Sequence, residues 1–132
     1  MNILIMAANN DVRFILSTVL RRNGNTVMET RNEHDATEAA NLFAAPIQIA
    51  VIDLDGTATD AMAFGERLTC ERPEIRILFI SPRGSENVGF KLAQLESKPA
   101  AFLERPFMPK DLLGAIAALA DAPLPKHQRE IV

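Results

Sequence analysis

Apolar residues along the chain come in short bursts, separated by longer stretches in which they recur every three or four positions. The first burst, ILIMAA over 3–8, is continuous, as expected of a strand covered on both faces of a parallel sheet. From Asp11 the period changes. Val12, Ile15, Leu16, Val19 and Leu20 then share one face of a helix that Asn9 or Asn10 caps and Gly24 ends. A β-prone segment over 26–30 leads to a second helical stretch marked by Ala36, Ala39, Ala40 and Phe43, closed before Pro46.

The same alternation continues to residue 120. Residues 47–52 and 75–80 read as buried strands, with a helix from Asp60 to about Arg72 between them. A fourth helix is expected over 85–96, a short fifth strand over 100–103, and an alanine-rich last helix over 112–120. Strands alternating with helices through short loops predict an α/β, doubly wound parallel sheet, with helices on both faces and right-handed crossovers. The periodicity then fades. Residues 122–132, with Pro123 and Pro125, read as a linker or tail, leaving 1–121 as one domain.

Composition narrows the functions open to such a domain. A length of 132 residues suits a single core. The formal net charge of −3 offers no basic field for nucleic acid or an anionic surface, so direct nucleic-acid binding is not expected. No apolar run approaches the roughly 18 residues of a membrane span, and residues 1–10 lack a secretory signal, which points to a cytoplasmic protein. Cys70 is the single cysteine, cannot form an internal disulfide, and is expected to serve as a small packing residue.

In open α/β sheets ligands bind outside the carboxyl ends of the strands, so the residues standing there are the candidates for chemistry. They are Ala7, Ala8 and Asn9 after the first strand, Asp53, Leu54 and Asp55 after the third, Ser81 and Pro82 after the fourth, and Glu104 to Phe107 after the fifth. Asn9, Asn10 and Asp11 are most simply read as caps or first-turn acids of the helix that follows.

In order and spacing this set resembles the receiver domain of two-component response regulators, over residues 2–121. Asp53 falls at the position of the phosphoacceptor aspartate, Ser81 at that of the family's Ser or Thr, Phe102 at the switch aromatic, and Arg105-Pro106-Phe107 where the family usually reads Lys-Pro-Phe. Asp55 and Asp60 mark the loop after the third strand; Asp60 lies seven residues past Asp53, and Arg13 and Gly24 fall at familiar places. The resemblance implies the flavodoxin-like strand order 2-1-3-4-5 and a cis peptide before Pro106. It also implies phosphoryl transfer from a histidine kinase or phosphotransfer protein, with Ser81, Arg105 and Pro106 in the phosphoryl pocket. The output would pass through the face made by the helix over 85–96, the fifth strand and the last helix, where a homo- or heterodimer could form. On that face Val88, Phe90, Leu92 and Leu95 are available.

Two departures weaken that chemistry. Where the family carries two acidic Mg²⁺ ligands after the first strand, this chain has Ala7 and Ala8. That leaves Asp53 and Asp55 as the metal site, so Mg²⁺ binding and Mg²⁺-dependent phosphorylation are expected to be weak. Arg105 keeps the lysine's charge on a larger planar fork, and with the acid pair gone a direct Asp53–Arg105 ion pair is expected. The segment Ile52-Asp53-Leu54-Asp55-Gly56-Thr57 also resembles the first motif of haloacid dehalogenase-like phosphatases, in which Asp53 would be the nucleophile and Asp55 the acid/base. No acidic pair after the fourth or fifth strand completes that metal site. The favoured expectation is a signalling module and not an enzyme.

Overall fold

The computed structural model describes residues 1–54, 58–82 and 100–121. Its elements run β1 (Asn2–Met6), α1 (Asn10–Arg22), β2 (Thr26–Thr30), α2 (Glu33–Leu42), β3 (Ile49–Asp53), α3 (Ala58–Glu71), β4 (Arg76–Ser81), β5 (Ala100–Glu104) and α4 (Pro109–Ala120). The expected helix over 85–96, with Val88, Phe90, Leu92 and Leu95, lies outside the described residues, as do Asp55 and the tail 122–132.

All five strands pair in parallel in the order β2-β1-β3-β4-β5, as expected. Alternation along each strand sends its apolar side chains to two separate cores. Ile3, Ile5, Ile49, Val51, Leu78 and Ile80 meet Leu16 and Leu20 of α1 and Leu112, Ile116 and Leu119 of α4. Leu4, Met6, Ala50, Ile52, Ile77 and Phe79 meet Ala36 and Ala40 of α2 and Met62, Phe64 and Leu68 of α3. Both faces are therefore covered, which is why the strands read as continuous apolar runs.

Local chemistry sets the helix ends. Asn9 caps α1, its side chain accepting from the Val12 N–H at 3.0 Å. Asp11 in the first turn and Arg21 and Arg22 in the last complement the helix dipole. Gly24 then takes φ +85°, where a side chain would be strained, and its N–H donates to Arg21 O at 3.1 Å. Asn32 caps α2 in the same way through the Asp35 N–H at 2.8 Å. The last helix begins at Pro109, three residues before its first core side chain, because proline suits the first turn and Asp111 accepts the Met108 N–H at 3.0 Å. Among the described residues no helix is long and apolar enough to cross a membrane.

Cys70 departs from expectation. It lies exposed on α3 because the buried stripe of that helix runs through Ala61, Met62, Phe64, Leu68 and Thr69.

Gly65 lets α3 sit close on the sheet: a Cβ there would stand 2.9 Å from Phe79 Cζ and 3.4 Å from Ile52 Cδ1. Phe79 has little room to yield, being 1% exposed with its ring stacked on Phe102 at 5.2 Å. At Gly114 the same Cβ would meet nothing within 4 Å. Gly114→Ala is therefore expected to stabilise the domain by about 1 kcal/mol through helix propensity. At Gly65 that gain is outweighed by an overpacking cost of about 1–3 kcal/mol. Urea unfolding of the two variants checks this, with midpoints expected on opposite sides of the parent.

Candidate functional site

Strand register brings the candidate residues to one edge of the sheet. Asp53, the last residue of β3, pairs with Ile80 of β4, so Ser81 stands one position beyond it. Ser81 in turn pairs with Glu104 of β5, and Arg105 follows. Two backbone hydrogen bonds carry the ladder past the strands: the Leu54 N–H donates to Ile80 O at 2.8 Å and the Arg105 N–H to Ser81 O at 2.9 Å. The main chain on either side of the site is thus held by the sheet itself.

Asp53 and Ser81 are each 6% exposed. The Asp53 carboxylate is nearly closed off, with its side chain 1% exposed, and Oδ1 lies 3.8 Å from Nη2 of Arg105, whose side chain is 26% exposed. A carboxylate so deeply buried is costly unless a counter-charge stands close. At 3.8 Å the contact is an ion pair too long for a hydrogen bond. At an effective dielectric of about 20 its gross attraction is about 4 kcal/mol, which goes to offset the desolvation of both groups. The Arg105–Pro106 peptide is cis, as expected.

The end of β1 lies beside this carboxylate, since Met6 pairs with Ile52 and Ala7 is next in register with Asp53. Ala7 is buried at 1% exposure and Ala8 is exposed. Between them and the first turn of α1 lies Arg13, itself only 9% exposed. Its guanidinium donates to Ala7 O at 2.7 Å, reaches Ala8 O at 3.5 Å, and donates to Asn10 Oδ1. A divalent cation such as Mg²⁺ needs oxygen ligands and commonly takes one or two carboxylates. Here β1 ends in two methyl side chains, and the Ala7 carbonyl is turned to a guanidinium that is itself a cation. The described residues at this strand end do not fit a divalent metal.

The burial of Arg13 was not legible from hydropathy. A charged residue at the fourth position of a helix reads as a solvated side chain, and only the carbonyls at the strand end give it somewhere to go. Asn9 and Asn10 face the helix, as cap and as partner of Arg13. Asp60, expected with the loop after β3, stands exposed in the first turn of α3, which begins two residues earlier. Phe102 is half-buried opposite Phe79 in register, its ring stacked at 30°.

No family model and no curated protein matches this sequence. Solved structures do. NtrX from Brucella abortus superposes with a TM-score of 0.79 at 20% identity, covering 98% of this chain; the chain spans only 28% of that protein. A response regulator from Thermotoga maritima gives 0.76 at 13% identity, covering 92% of this chain and 98% of that one. The chemotaxis response regulator CheY4 of Vibrio cholerae gives 0.73 at 16% identity over 89% of this chain and 97% of that one. The chain therefore has the flavodoxin-like fold of response regulator receiver domains, a five-stranded parallel sheet in the order 2-1-3-4-5.

Proposed function

We propose that this chain works as a receiver-like signalling domain of a two-component phosphorelay, with Asp53 as its potential phosphoacceptor and protein–protein interaction as its output. The observation that carries the reading is the buried carboxylate at the end of β3, with the Arg105 guanidinium 3.8 Å away and Ser81 on the adjoining strand end. In this reading a carboxylate oxygen of Asp53 attacks the phosphorus of a phosphorylated histidine on a kinase or phosphotransfer protein. The P–N bond breaks as the P–O bond forms, and the imidazole leaves. Arg105 and the Ser81 hydroxyl then receive the phosphoryl oxygens, beside Pro106, and Phe102 would leave its stack on Phe79 to change the β5–α4 face that partners or a second copy would meet.

In the same reading the switch is weakened. Ala7 and Ala8 bring no carboxylate, Arg13 takes the Ala7 carbonyl, and Arg105 already pairs with the acceptor. Any Mg²⁺ would rest on Asp53 and Asp55, so its affinity is low and phosphorylation from small donors slow. Signalling then leans on partner binding without phosphate, in a cytoplasmic protein with no catalytic turnover of its own.

Intact-mass measurement after incubation with a small acyl phosphate and Mg²⁺ checks the acceptor. Slow, sub-stoichiometric addition that disappears in Asp53→Asn is expected; rapid stoichiometric addition contradicts the weakened switch, and addition retained in Asp53→Asn contradicts the acceptor. Calorimetry checks the metal: the double variant Ala7→Asp/Ala8→Asp is expected to bind Mg²⁺ at least about tenfold more tightly than the parent, as added carboxylates supply the missing ligands. Unchanged affinity would show that the loss does not lie at these two positions.

A further inference from the structure

A depression of about 460 Å³ opens beside the candidate site, lined among the described residues by Val12 and Ile15 of α1, Pro82 after β4, and Arg105, Pro106 and Phe107 after β5. Its size falls within the range of small-molecule sites, about 300–1,000 Å³. It also lies at the carboxyl ends of the strands, where open α/β sheets bind ligands. Among the described residues its walls are hydrocarbon except at the part-exposed Arg105 guanidinium. Pro82 and Pro106 give that wall a fixed backbone shape, which lowers the ordering cost of binding.

We propose that this depression binds a small carboxylate with a flat apolar body, the carboxylate on Arg105 and the body between α1 and the Pro82 and Phe107 walls. Charge complementarity decides the class of occupant. A guanidinium carries five N–H donors in a planar fork that matches a carboxylate, and it can serve a ligand while still facing Asp53. The apolar walls return the burial of an aromatic ring but give nothing to the shell of water stripped from a free phosphate. The exposed Ile15 wall, at 51%, is open apolar surface that such a ring would cover.

Occupancy bears on Asp53. A ligand carboxylate competes with Asp53 for the same guanidinium, so each weakens the other's hold on Arg105, by reciprocal linkage. The pocket needs only the fold and the place of Arg105, and stands apart from whether Asp53 is ever phosphorylated.

The test is a ¹H–¹⁵N chemical-shift titration of the full chain with 2-naphthoate, its neutral analogue 2-naphthamide, and acetate. Saturable binding of 2-naphthoate is expected, with shifts at Val12, Ile15 and Phe107. The naphthamide and acetate should each bind at least about tenfold more weakly, since one lacks the charge and the other the ring. Arg105→Gln and the surface change Ile15→Glu should each cost a similar factor while the far end of the sheet keeps its shifts, and Asp53→Asn should retain or tighten binding. Non-saturable binding, equal affinity for naphthamide, or shifts that avoid α1 would overturn the pocket. Because Asp53→Asn removes phosphorylation but not the pocket, failure of the phosphoacceptor reading and failure of this one are separately visible.

Discussion

A carboxylate closed off from water at the end of a buried parallel strand is the constraint around which the carboxyl edge of this domain's sheet is arranged. Asp53 cannot remain charged there without a counter-charge, and the fold supplies Arg105 from two strands away. That placement depends on regular structure and not on loop chemistry alone. The Leu54 and Arg105 amides continue the β3–β4 and β4–β5 ladders, so the two charged side chains hang from backbone that the sheet already holds. A pair at 3.8 Å satisfies the charge without the close fit of a hydrogen-bonded salt bridge.

On the other side of Asp53 the same edge has been made cationic. The two positions that could carry acids are Ala7 and Ala8, and Arg13 turns its guanidinium onto the carbonyls that close β1. Among the described residues, Asp53 thus faces the Arg105 guanidinium, and the end of β1 presents a second guanidinium rather than carboxylates that could gather round a metal. Such an edge favours holding anions over holding cations, which connects the predicted weakness toward Mg²⁺ with the apolar, arginine-bearing depression next to it.

Much of the fold was legible in the sequence, because β1, β3 and β4 are largely uninterrupted apolar runs, β2 is β-prone, and the helices carry apolar stripes. Strand positions, the cap at Asn9 and the turn at Gly24 follow from local chemistry, the cis bond at Pro106 was implied by the receiver resemblance, and the structure has them. The ion pair between Asp53 and Arg105 was legible too, since both are strand-end residues in a topology that puts their ends together. What escaped depends on contacts between distant segments. The burial of Arg13 needs the carbonyls of β1, and the exposure of Cys70 depends on which stripe of α3 meets the sheet. The close approach at Gly65 depends on Phe79, and the depression joins α1 to residues about ninety positions further along the chain.

The central claim is that Asp53 and Arg105 are each other's electrostatic partners in the resting domain. A double-mutant cycle measures this directly, with urea unfolding of the parent, Asp53→Asn, Arg105→Gln and the double variant. If the pair organises the edge, the two substitutions are non-additive, with a coupling energy of about 1–3 kcal/mol. Additivity to within about 0.5 kcal/mol, the behaviour of independent sites, would contradict it.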